Sequence, residues 1–177
     1  MATHQSSYPD TAQAKPVEML PLVDTEGNVI GTAPRDVAHE QHLLHPVVHL
    51  HVLNSAGDIY LQHRPAWKKV QPDRWDSAVG GHIDAGESVE QALLRETREE
   101  IGIEGFEYQA LEKYVFECEL DRELVYPFIA VWDKPLCPSD ELDGGRFWTR
   151  AEIEAAIGSG QLTPNFEQEY HKYLTNI

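Results

Sequence analysis

The stretch from Gly81 to Ile103, GHIDAGESVEQALLRETREEIGI, constrains this chain more tightly than any other, because it specifies a helix together with an unfavourable charge pattern. Ser88 followed three residues later by Gln91 predicts a capping box, and Gly102 suits the left-handed stop, so a helix is expected over Ser88 to Ile101. At about 100° per residue, Glu96, Glu99 and Glu100 fall within an arc of about 100°, with Leu93, Leu94, Thr97 and Ile101 to one side. Like charges at i and i+4, such as Glu96 and Glu100, destabilise an isolated helix by a few tenths of a kcal/mol. Something cationic should compensate. Carboxylate oxygens suit a hard divalent ion, and Mg²⁺ takes one or two of them while keeping waters and binding substrate phosphate oxygens. Arg95, four residues before Glu99, could orient that carboxylate by a charge-assisted bond. The alternative is a solvated acidic face with Arg95 as ordinary surface charge.

The spacing decides between them. Gly81, Glu87, Arg95, Glu96, Glu99, Glu100, Gly102 and Ile103 match the Nudix box, departing only at Thr97, where an aliphatic residue is usual. The chain therefore resembles the Nudix hydrolases. The resemblance implies an α+β fold, the Nudix fold, with a mixed β-sheet sandwiched between α-helices. It also implies cleavage of a phosphoanhydride in a nucleoside diphosphate derivative or other organic pyrophosphate, with Mg²⁺ or Mn²⁺ as cofactor. By the same resemblance Glu99 and Glu100 are metal ligands, Glu96 a ligand or general base, Gly81 a backbone ligand, and Glu87 a support for the loop. Glu141 matches the loop glutamate that acts as the base in some members, so it is a second candidate beside Glu96. Divalent ions would neutralise the diphosphate and lower the pKa of a water toward neutral, and a carboxylate would take the proton.

From about Leu20 to the box the chain resembles the type I isopentenyl diphosphate isomerases, which are Nudix relatives. The likeness runs through LVDTEGNVIGT, His39, His45, LQHRPAWKK and Trp75. In those isomerases a histidine-rich metal site is implied, and His39, His45, His82 and Glu123 match it by position. Gly80, however, stands where their catalytic cysteine would be, so one partner for proton transfer at carbon is missing. Hydrolysis is preferred, with isomerisation and a catalytically silent ligand-sensing domain as the other readings; the intact glutamates argue against the last.

Arg64, Lys68, Lys69 and Arg74 put four of the 14 positive charges into eleven residues, interleaved with Trp67 and Trp75. Arg can grip phosphate with two bonds, Lys acts as a point charge and an indole can stack on a base, so Arg64, Lys68, Lys69, Arg74 and Trp75 are candidate substrate contacts. A solvated loop with buried tryptophans is equally compatible. His49 and His51 alternate along a predicted strand and share a face, either a site wall or the half-exposed side of the sheet, of which the second is the blander expectation.

The 30 acidic against 14 basic side chains, a formal net charge of -16, would repel a nucleic-acid backbone, so a small-molecule diphosphate is the expected partner. The N-terminal residues lack a basic and apolar leader pattern, and no apolar run approaches the roughly 20 residues of a membrane-spanning helix. A cytoplasmic protein is expected, of open oligomeric state, a homodimer among the options. Cys118 and Cys137 suggest no disulfide framework.

The first 15 residues read as a polar tail, leaving residues 16–177 as one domain, in keeping with roughly 100 to 200 residues per domain. Hairpins are predicted over Leu20 to Thr32 and Val47 to His63, a short helix over Pro34 to Leu44, and strands over Tyr114 to Leu120 and Val125 to Trp132. Helices are predicted over Arg150 to Ile157 and Phe166 to Leu174.

Overall fold

The computed structural model describes residues 17–175 and 177, so the tail predicted over residues 1–15 lies outside the described residues. The chain enters through an antiparallel hairpin, β1 (Met19–Val23) and β2 (Val29–Pro34), with Met19 opposite Pro34. Asp24 organises its turn by accepting the N–H groups of Glu26 at 3.0 Å and Asn28 at 2.9 Å. A short helix, α1 (Arg35–Glu40), follows.

The remaining strands are β3 (His45–Leu53), β4 (Ile59–His63), β5 (Trp75–Asp76), β6 (Val79–His82), β7 (Gln109–Ala110), β8 (Tyr114–Glu117), β9 (Arg122–Val131) and β10 (Gly145–Trp148). They form one mixed sheet whose main path is β10-β4-β3-β9-β7, with β5 on β4, β6 on β3 and β8 on β9. Parallel pairing joins β3 to β9 from His45 opposite Glu123 to Leu53 opposite Val131. The predicted β3–β4 hairpin forms, but it pairs only at Val52 with Tyr60 and Leu53 with Ile59. Beyond that point β6 takes the same edge, with Val47 opposite His82 and Leu50 opposite Val79. That substitution carries the box onto the centre of the sheet.

Because side chains alternate along a strand, β3 serves two layers. Val48, Leu50 and Val52 pack with Leu93 and Ile101 of α2 (Val89–Ile101). Leu53, with Ile59 and Leu61, packs on the opposite side against α3 (Arg150–Ala156), α4 (Pro164–Glu169) and the π-helical turn Tyr170–Leu174. The predicted last helix thus begins earlier, where Thr163 caps the N–H of Phe166, and changes to π geometry at Tyr170. The α+β architecture, a mixed sheet between helices, is as expected. No helix among the described residues is long and apolar enough to cross a membrane.

The capping box on α2 is complete: Ser88 Oγ accepts the Gln91 N–H at 3.2 Å, Gln91 Oε1 accepts that of Ser88 at 2.9 Å, and Gly102 closes the helix at φ +70°. Of the residues to one side of the carboxylates, Leu94 is 42% exposed, while Leu93, Thr97 and Ile101, like Ala92, are buried. On the helical wheel Ala92 and Leu93 bracket Glu96 and Glu100, so those carboxylates face the sheet rather than solvent.

Candidate active site

The site is built where α2 lies over β6. A β carbon on Gly81 would stand 2.0 Å from Cδ of Glu96, so only glycine lets that carboxylate approach the strand backbone. Arg95 locks the arrangement. Its Nε and Nη2 donate to Glu87 Oε1 and Oε2, both at 2.8 Å, while Nη1 donates to Glu96 at 2.8 Å and Glu99 at 3.2 Å. Nη2 also reaches the carbonyl of His82 at 3.0 Å, and Glu87 accepts the Asp84 N–H at 3.0 Å. Arg95 therefore orients Glu99, as anticipated, but it also ties loop, strand and helix together.

Glu100 accepts the Gly80 N–H at 3.0 Å and Gln62 Nε2 at 3.4 Å. Burial pushes its carboxyl up to about 8 against the downward pull of the Gly80 N–H, with Glu96 adding to the rise. Burial likewise raises Glu96, opposed by Arg95. Converging carboxylates that resist ionisation suit a hard cation, whose charge would reverse that preference.

The loop before β10 is stitched to the end of α2, because Cys137 N–H donates to the Ile101 carbonyl at 3.0 Å and Ser139 N–H to that of Glu100 at 2.9 Å. Glu141 is thereby brought to the box glutamates, and Glu96, Glu99, Glu100, Ser139 and Glu141 line one cavity of about 180 Å³.

A second polar cluster lies beside it on β6. Ligand nitrogens of His39, His45 and His82 lie within 4.8 Å of one another, and His45 also groups with Asp121 and Glu123. His45 Nδ1 is 2.8 Å from the Leu43 carbonyl, and His39 Nδ1 is 3.1 Å from Asp121 Oδ1. Both oxygens only accept, so each Nδ1 carries a proton, and in the neutral His45 ring the lone pair is left on Nε2. His45 Nε2 and His82 Nε2 are buried without partners. Burial lowers both imidazoles, His82 well below the ordinary value. Neutral, unpartnered imidazoles converging with carboxylates are a donor set that fits a divalent transition metal. Asp121, two residues before Glu123 on the same side of the chain, escaped the sequence reading, although that spacing was the available signal.

The basic segment is differently employed. Arg64 donates to the carbonyls of Val70 at 2.9 Å and Gln71 at 3.2 Å and to Asp76 at 3.3 Å, bracing its own loop. Arg74 donates to the Leu162 carbonyl at 3.2 Å. Trp75 is packed edge-on by Trp148 at 5.2 Å, with the ring of His63 at 4.8 Å. Lys68 lies over the Trp67 ring, its charge partly offsetting the rise at Glu100, and Lys69 is exposed. His49 and His51 are buried, not half-exposed, because α4 covers them and supplies Glu169. That partner is 120 residues away in sequence, so no local signal announced it.

The sequence profile of the NUDIX domain matches residues 43–166. The chain belongs to the NUDIX family. An uncharacterised Nudix hydrolase from Pseudomonas aeruginosa is 32% identical over 135 residues, covering 76% of this chain and 80% of the relative. An isopentenyl-diphosphate Delta-isomerase from Photorhabdus laumondii is 30% identical over 148 residues, covering 80% and 83%. The crystal structure of a Deinococcus radiodurans protein superposes with a TM-score of 0.77 at 25% identity, covering 88% of this chain and 98% of that one. The enzyme class of this chain is that of the Nudix pyrophosphohydrolases, a family that generally uses divalent metal.

Proposed function

We propose that residues 16–177 form one catalytic domain that hydrolyses a phosphoanhydride in a nucleoside diphosphate derivative or other organic pyrophosphate, using Mg²⁺ or Mn²⁺. The observation that carries this reading is the convergence of Glu96, Glu99, Glu100 and Glu141 on one cavity. Glu96, Glu99, Glu100 and the Gly81 carbonyl would hold the metal. A divalent ion there supplies charge neutralisation of the diphosphate and acidification of water. Arg95 fixes the directions of Glu96 and Glu99, Glu141 or Glu96 accepts the proton, and Lys68 and Lys69 offer charge to the entering anion. Arg64, Arg74 and Trp75 act through the loop they brace.

Isomerisation of isopentenyl diphosphate is the second reading, favoured by the His39, His45 and His82 cluster with Asp121 and Glu123. Gly80 supplies no acid or base, so hydrolysis is preferred.

One experiment separates them. The purified chain is incubated in H₂¹⁸O or D₂O with Mg²⁺ or Mn²⁺ and a panel of nucleotide sugars, dinucleoside polyphosphates, ADP-ribose and isopentenyl diphosphate. The expected result is ¹⁸O in a phosphate product, no double-bond migration, and collapse of activity in Glu99→Gln and Glu100→Gln with the fold retained. Full turnover in excess EDTA, or deuterium scrambling with migration at a comparable rate, would overturn the assignment.

A further inference from the structure

On the face of the sheet away from α2, buried groups unused by the hydrolytic reading form a connected unit. His49 of β3 places Nδ1 3.1 Å from both carboxylate oxygens of Glu169 on α4. His51 Nε2 is 3.0 Å from Glu169 Oε2, and the Tyr114 hydroxyl donates to Oε1 at 2.8 Å. The same Tyr114 hydroxyl oxygen also contacts the Asn165 side-chain oxygen. Glu169 is fully enclosed, so this ring of donors stabilises a buried carboxylate that would otherwise be costly.

His51 Nδ1 also lacks a partner but is sealed in the interior, whereas the His49 side chain retains some exposure beside its free nitrogen. That side chain is 8% exposed, and His49 Nε2 has no protein partner among the described residues. A β carbon at Gly80 would stand 3.6 Å from both Cδ2 and Nε2 of His49, so that edge of the ring looks into the volume a side chain would have filled. The same Gly80 donates its N–H to Glu100, so a single glycine separates His49 from the carboxylates of the cavity. Glu169 accepts the Nδ1 proton and thereby aims Nε2 across Gly80.

The charge balance gives that nitrogen a task. A cavity lined by Glu96, Glu99, Glu100 and Glu141 must admit an anionic substrate, yet Arg95 is spent on glutamates, Arg64 on Asp76 and its loop, and Arg74 on Leu162. Burial alone would lower His49, but the charges of Glu169, Asp76 and Glu123 and the Glu169 hydrogen bond together raise it to about 9. His49 is then a cation with an unspent N–H.

We propose that His49 binds a phosphate oxygen of the substrate by donating Nε2–H across Gly80, with Glu169 as the positioning residue behind it. The inference rests on the reading of this chain as a diphosphate hydrolase and specifies how the diphosphate is held on the far side of β6.

The test is imidazole ¹⁵N NMR of the intact chain titrated with methylene diphosphonate in Mg²⁺, the signals being assigned by comparison with His49→Gln. The expected result is a saturable shift of His49 Nε2 that Gly80→Ala abolishes, since a methyl group fits there at van der Waals distance while the N–H to Glu100 remains. In kinetics, His49→Gln should raise KM on the order of 10- to 100-fold, the worth of one charge-assisted bond, with kcat changed much less. A folded His49→Gln with unchanged KM, or a wild type whose His49 does not shift, overturns the proposal. Absence of hydrolysis with a saturable His49 shift would sink the hydrolytic reading alone; hydrolysis without the shift would sink this proposal alone.

Discussion

Gly81 and Glu96 occupy space that no β carbon could share: one placed on the glycine would lie 2.0 Å from Cδ of the glutamate and 2.4 Å from its Cγ and Oε1. Gly81 does not carry a positive φ, so its requirement is steric, arising from close approach rather than from backbone conformation.

Gly81→Ala should therefore displace Glu96 and break its bond to Arg95. Expected are a fall in kcat of about 10²-fold and a loss of about 1 to 3 kcal/mol of stability from overpacking. Steady-state kinetics beside thermal unfolding check this; unchanged kcat in the folded variant would contradict it.

The two base candidates differ in what holds them. Glu96 is 14% exposed and paired with Arg95, whereas Glu141 is exposed and its carboxylate has no partner among the described residues. Glu141→Gln should lower kcat by about 10² or more with metal affinity little changed, and Glu96→Gln should weaken metal binding as well. Mn²⁺ titration alongside kcat distinguishes these effects. If neither substitution slows turnover, the base lies elsewhere.

Ser88→Ala removes the side chain that caps the N–H of Gln91. The helix bearing the box loses its cap, and stability should fall by about 1 kcal/mol, read as a lower Tm. Ser88 touches none of the site carboxylates, so kcat measured well below Tm should stay within about twofold of the parent. A kcat that falls as steeply as in Gly81→Ala would show that the cap positions the site.

The His49 and Glu169 pair makes stability depend on pH. His49 is raised from 6.5 to about 9, so its contribution is complete below 6.5 and is lost as pH rises through about 9. Glu169 is lowered from 4.5 by His49 and His51 against the upward push of burial, so its contribution is present above 4.5 and is lost only in strong acid. The groups facing the pair are His51, Tyr114, Asn165, Asp76 and Glu123. His49's share of the decline in unfolding free energy between pH 6.5 and 9.5 is at most about 1.4 kcal/mol per pH unit, added below about pH 8 to that of the raised Glu100 and Glu123 carboxyls, and His49→Gln should reduce the slope by that share. A slope of equal size in the variant would remove His49 as its source.

What could be read from the sequence alone was local. The capping box of Ser88 and Gln91, the stop at Gly102, the box spacing from Gly81 to Ile103 and the alternation of His49 and His51 all depend on residues within one turn, one helix or one strand. Helical period, strand period and capping chemistry act over those distances, and the structure keeps each of them. Leu94 marks the edge of this legibility, because the wheel gives its angle but not which arc the sheet covers. Tertiary structure decided the rest. Glu141 reaches the cavity because Ser139 bonds to the carbonyl of Glu100, Arg64 faces inward because its loop folds back on it, and Glu169 meets His49 across 120 residues. Such partners are chosen when chain closure and packing of two apolar layers bring distant segments together, and neither is encoded in any window of neighbouring residues.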